Sequence, residues 1–138
     1  MTHDSADHST KDAAHKHLTL DRNFDDLAAR FSRTIYATPR GQLRLLALAQ
    51  DFNDLEIPVE RATVLDIGGG QGQFSLQLAK QGASISLCDV SQEMLSLARD
   101  LFAAEALSLN SQCCSLQDAS SAYPQQFDIV LNHAVLEW

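Results

Sequence analysis

The segment Val64-Leu65-Asp66-Ile67-Gly68-Gly69-Gly70-Gln71-Gly72 constrains this chain more than any other stretch. The apolar run from Ala62 to Ile67 suits a strand buried on both faces. Glycines at 68, 69, 70 and 72 follow at once. They permit positive φ and let the backbone approach a ligand closely. A helical pattern begins at Gln73, so free backbone amides point back toward the turn. From Gly68 the spacing is Gly-x-Gly-x-Gly, with Asp66 ahead of it. A pyrophosphate-binding loop would instead show Gly-x-Gly-x-x-Gly. Taken alone, the segment fits a ligand loop or a plain tight turn.

Asp89 narrows that choice. It closes the strand Ser84–Cys88 and stands twenty-three positions beyond Asp66. A carboxylate there can accept both ribose hydroxyls of a nucleoside, although aspartates also end strands as turn or cap residues. The glycine loop and Asp89 together, at this separation, favour a nucleoside ligand. Further along, Ser91 suits the N-cap of a helix carrying Met94, Leu95, Leu97, Ala98 and Leu101. The spacing predicts strands over Leu109–Cys114 and Phe127–Asn132, and a helix over Gln73–Lys80 stopped by Gly82. Alternating strands and helices imply an α/β fold with a parallel sheet and right-handed crossovers. In that fold Ser115–Asp118 lies beside the base of a bound nucleoside, with Leu116 against the ring and Gln117 or Asp118 at its polar edge. Asn132 and His133 arrive at the carboxyl edge of the fourth strand, where ligands sit at the topological switch.

Ahead of the sheet, three regions are expected: a tail over 1–20, a helical segment over 21–60, and the sheet domain over 61–138. The tail is polar, has no apolar period and lacks a signal-peptide core. Its His3, His8, His15 and His17 read as solvated spacers, not metal ligands. Phe24, Leu27, Ala28, Phe31 and Ile35 form one helical stripe. Thr38-Pro39-Arg40-Gly41 reads as a breaker, and a second helix runs from Leu43 to Leu55, closing near Pro58. The net charge of −8 disfavours generic nucleic-acid binding, but residues 22–44 carry five arginines against two aspartates. That basic island suits an anionic partner, or simply a solvated helix face. No apolar run is long enough for a membrane span. Cys88, Cys113 and Cys114 form neither a disulfide framework nor a zinc spacing, which suits a reducing cytoplasm. The chain reads as a sheet of about four strands cut short after Trp138, with its C-terminal strands missing.

With these residues assembled, the chain resembles the bacterial tRNA 5-carboxymethoxyuridine methyltransferases, within the class I methyltransferases. The carriers are Asp21–Ala28 (DRNFDDLA), Phe31–Tyr36 (FSRTIY), Gly41–Arg44 (GQLR), Leu65–Gly70 (LDIGGG) and His133–Trp138 (HAVLEW). The glycine loop is common to all class I methyltransferases, whereas the DRNFDD and GQLR phrases are much more particular. The resemblance implies an incomplete Rossmann-like domain with S-adenosylmethionine as donor. The substrate would be the carboxymethoxy group of a wobble uridine in the tRNA anticodon stem-loop, converted to its methyl ester. Carried over by position, the cofactor residues are Arg44, Gly68, Gly69, Asp89, Val90, Leu116, Gln117 and His133. Arg44 can pair with the methionine carboxylate through a two-pronged contact. A carboxylate acceptor is already ionised at neutral pH. No general base is then needed, no catalytic residue is assigned, and positioning does the work. Arg40 and Tyr36 are candidates to hold that acceptor or the tRNA phosphates. Two other readings stay open: a small-molecule methyltransferase sharing the cofactor half, and a non-catalytic cofactor-binding module.

Overall fold

The computed structural model describes residues 38–133. The tail, the Phe24–Ile35 stripe, Tyr36 and the stretch after His133 lie outside the described residues. The first element, α1 (Pro39–Asp54), starts earlier than its apolar pattern suggests. Thr38 and Pro39 begin this helix instead of breaking it. The Thr38 hydroxyl accepts from the Gly41 amide at 3.2 Å, and Pro39 sits in the first turn, where its missing N–H costs nothing.

Then follow β1 (Thr63–Ile67), α2 (Gln73–Lys80), β2 (Ser84–Asp89), α3 (Gln92–Ala104), β3 (Asn110–Cys113), α4 (Ala119–Ala122) and β4 (Ile129–Leu131). The Ser91 cap is formed, its hydroxyl accepting from the Met94 amide at 3.3 Å. The third and fourth strands are shorter than expected by two and three residues, and the single turn α4 has no periodic signal in the sequence. The sheet is parallel, in the order β3-β2-β1-β4. From β1 the chain winds outward through β2 and β3, then returns to the other side of β1 as β4. That reversal puts the topological switch point between the carboxyl ends of β1 and β4, the place where ligands bind in such sheets.

The sheet separates two cores. Val64, Ile85 and Leu87 face α1, α2 and α3, meeting Leu78, Leu95 and Phe102, all buried. Phe52 of α1 meets Phe74 of α2 edge-to-face, with ring centroids 5.2 Å apart. On the opposite face Leu65, Ile67 and Cys88 pack with Ala119 and Tyr123. The Tyr123 hydroxyl donates to the Leu87 carbonyl at 2.9 Å. At the amino edge, Asp128 Oδ2 accepts from both the Thr63 amide and the Thr63 hydroxyl at 2.8 Å, bracketing β4 to β1. Among the described residues, no helix is long and apolar enough to cross a membrane.

Candidate functional site: the glycine loop and the β2 carboxylate

The loop after β1 is held from beneath by β2. The Cys88 carbonyl accepts from the Gly68 and Gly69 amides at 2.7 and 3.2 Å. Gly68, Gly70 and Gly72 all adopt positive φ. Gly69 does not, and its reason is contact: an added Cβ would stand 2.7 Å from Asp66 Cγ and Oδ2 and 2.8 Å from Leu87 Cδ1. Such a separation is far inside van der Waals contact. Gly70 is the reverse case, since a Cβ there would meet nothing within 4 Å. The loop is packed hard on its inner side and open above Gly70.

Asp89 is tied into this loop through its carboxylate. One oxygen accepts from the Gly70 amide at 3.0 Å and the other from the Ser91 amide at 2.9 Å. The carboxylate thus bridges the glycine turn and the start of α3. Asp66 lies below, only 6% exposed, and its Oδ2 accepts from the Ser75 hydroxyl at 2.6 Å. Burial pushes the Asp66 carboxyl up to about 6; the Ser75 hydrogen bond opposes the rise and the Asp89 charge adds to it.

The other expected residues divide into three groups. Val90 follows Asp89 and is 44% exposed, an apolar surface at the carboxyl edge. Leu116 is half-buried against the Cys88 core on the opposite face, and His133 is half-buried just past β4. Arg44 lies on the exposed side of α1 and Gln117 is exposed after β3; no described hydrogen bond joins either to the loop. Asp118 is engaged locally, its carboxylate accepting from the Ser115 hydroxyl at 2.7 Å. That leaves Gln117 as the better candidate for the polar edge of a base.

The residues fit a polar nucleoside ligand by a second observation. Gln71 Nε2 and Gln73 Oε1 flank Gly72, are buried, and have no hydrogen-bond partner among the described residues. Buried polar atoms normally have one. One buried residue was missed from the sequence: Ser75, with the support it gives Asp66. The available signal was a lone hydroxyl among Phe74, Leu76, Leu78 and Ala79 on the inward face of α2. Among the described residues no cluster of side chains has the makings of a metal site.

A profile described as a methyltransferase domain matches residues 64–138, more than half of the chain. The chain belongs to the methyltransferase domain family. Within it, the tRNA 5-carboxymethoxyuridine methyltransferase of Escherichia coli (strain K12) is 43% identical over 122 residues, 86% of this chain and 47% of that protein. The ubiquinone biosynthesis O-methyltransferase of Azoarcus sp. (strain BH72) is 31% identical over 117 residues, 84% of this chain and 49% of that protein. The chain spans about half the length of the curated relatives it matches. Among solved structures, the bifunctional kinase-methyltransferase WbdD superposes with a TM-score of 0.59 at 25% identity, over 75% of this chain and 25% of that one. An S-adenosylmethionine-dependent methyltransferase from Clostridium acetobutylicum ATCC 824 superposes with a TM-score of 0.58 at 20% identity, over 78% and 42% of the two chains. The four-stranded parallel sheet is therefore that of a Rossmann-like methyltransferase domain. In this methyltransferase domain the glycine loop and Asp89 form one hydrogen-bonded unit.

Proposed function

We propose that this chain carries the donor site of an S-adenosylmethionine-dependent tRNA methyltransferase. The reaction would methylate the carboxymethoxy group of 5-carboxymethoxyuridine, at the wobble position of the anticodon stem-loop, to its methyl ester. The observation that carries the reading is the Asp89 carboxylate clamped between the Gly70 and Ser91 amides at the carboxyl edge of β2. A carboxylate pre-set there suits the ribose hydroxyls without reorganisation when the ligand arrives. Gly68 and Gly69 would face the methionine part, and Arg44 its carboxylate. Val90 and Leu116 would flank the base, Gln117 would meet its polar edge, and His133 would border the switch point from the β4 side. The donor, when bound, supplies an electrophilic methyl group. The acceptor carboxylate is ionised at neutral pH, so the protein's task is placement and exclusion of water.

The tRNA assignment is supported by the 43% identity to the Escherichia coli enzyme, which extends over 86% of this chain. The basic stretch Arg22 to Arg44 suits phosphate contacts in the anticodon arm, and with such a substrate the proposed location is the cytoplasm. As a domain arrangement we propose a tail over 1–20, a helical segment over 21–60 and the donor-binding sheet over 61–138.

Calorimetry with S-adenosylmethionine, run beside transfer of labelled methyl to tRNA bearing 5-carboxymethoxyuridine, tests both halves. Binding with transfer supports the whole reading. Binding without transfer reduces this chain to a donor-binding module, and absence of binding refutes the donor site.

A further inference from the structure

Ser75 has no role in the reading above, yet it is fully buried at the start of α2 and makes its described hydrogen bond to Asp66 at 2.6 Å. Asp66 in turn presses on the loop, occupying the space where a side chain at Gly69 would stand. We propose that Ser75 is a positioning residue of the donor site, its hydroxyl holding the Asp66 carboxylate charged beneath the glycine loop for a cationic ligand. This rests on the donor-site reading and adds to it a dependence of affinity on pH.

S-adenosylmethionine carries a sulfonium, an ammonium and a carboxylate, a net positive charge. A buried carboxylate under its binding loop attracts it more strongly than an exposed one, because the local dielectric is low. The same burial resists ionisation of that carboxylate. Among the described residues the groups around Asp66 are easily named. In register beside it, β2 places Leu87 and β4 places Leu131. Asp89 at the end of β2 is the charged group acting on it, and its charge is repulsive. From α2 comes Ser75, a neutral donor. The hydroxyl is thus the one described side chain that favours the charged state, against burial and Asp89, which both oppose it.

With its carboxyl titrating at about 6, Asp66 makes protons and donor compete. Donor affinity is then close to its limit at pH 7.5 and falls about tenfold by pH 5. In Ser75→Ala the support is lost. A charge-assisted hydrogen bond is equivalent to roughly one pH unit, so the midpoint moves up by about that much.

The test is the Kd of the full chain for S-adenosylmethionine between pH 5 and 9, for the wild type, Ser75→Ala and Asp66→Asn. The expected result has three parts. Wild type weakens with a midpoint near 6, and Ser75→Ala reaches a similar alkaline limit with its midpoint displaced upward. Asp66→Asn binds weakly at every pH. A Ser75→Ala curve superimposed on the wild type overturns the proposal, as does an Asp66→Asn curve that keeps the wild-type pH dependence. Should Ser75→Ala fail to fold, the flat Asp66→Asn profile and the carbon-13 titration of the wild-type Asp66 carboxyl still decide it. If wild type fails to bind at any pH, the donor-site reading itself falls, an outcome distinct from the superimposed curves.

Discussion

Asp66→Asn should make this protein more stable at neutral pH while weakening S-adenosylmethionine binding at the proposed donor site. In the fold the Asp66 carboxyl titrates at about 6, against 3.8 for an ordinary aspartate. That rise corresponds to about 3 kcal/mol of penalty for burying the charge. The folded state binds the extra proton, so the sign is that of a raised acid. Stability from this group is fully present below pH 3.8, declines as pH rises, and is gone above about 6. At pH 7.5 the wild type bears the whole penalty, and Asn bears none of it. Asn keeps an oxygen to accept from Ser75, but its amide hydrogens need partners, offsetting about 1 to 2 kcal/mol. The net expectation is a gain of about 1 to 2 kcal/mol at pH 7.5.

A sharper quantity avoids that offset. Between pH 7.5 and pH 5 the wild type recovers about 1.4 kcal/mol from this group, and the variant recovers nothing. Contributions common to both proteins cancel in the difference. Urea unfolding of both proteins at the two pH values reads it directly as a double difference. If the stability gap between variant and wild type is the same at pH 5 and 7.5, Asp66 is not titrating in this range and the reasoning fails. A gain in stability joined to a loss of binding would mark Asp66 as a residue kept for function at the expense of the fold.

Three other outcomes follow from named contacts. Gly69→Ala places a methyl carbon 2.7 Å from the Asp66 carboxyl; it should destabilise by about 1 to 3 kcal/mol and weaken S-adenosylmethionine binding at least tenfold, read by thermal unfolding and calorimetry. Cys88 is buried, and burial with the adjacent Cys114 thiol pushes it up to about 12, whereas Cys113 is exposed. Iodoacetamide at pH 8 should therefore label Cys113 in the native protein and reach Cys88 only after denaturation, as peptide mass mapping would report. The two Thr63 hydrogen bonds hold the Asp128 carboxyl below its usual 3.8. The advantage of wild type over Asp128→Ala should then be constant from pH 5 to 8 and shrink as pH falls below 3.8, measured by denaturant midpoints.

Much of the scaffold was legible from local pattern. The α2 helix spans Gln73–Lys80 as its period implies, Ser91 caps α3, and β2 ends at Asp89. These features depend on neighbours within a few residues, which periodicity and cap chemistry report well. The strand β3, Asn110-Ser-Gln-Cys113, was harder to bound, because its side chains are polar and mostly exposed. Locally, Thr38–Gly41 suits a break, because Pro39 with Gly41 two positions on fits a turn as well as a helix start. The deciding fact is the Thr38 hydroxyl on the Gly41 amide.

By itself, then, the sequence determined the order of the strands and the longer helices, the position of the glycine loop and the acidic residue that ends β2. Tertiary structure alone decided what those residues do to one another. The Asp89 bridge to Gly70 spans nineteen positions, and the Tyr123 bond to Leu87 spans thirty-six. The Ser75 contact with Asp66 crosses the whole loop. Spacing along a chain cannot express such pairings, because they depend on which side chains a parallel sheet and its crossover helices bring to one edge.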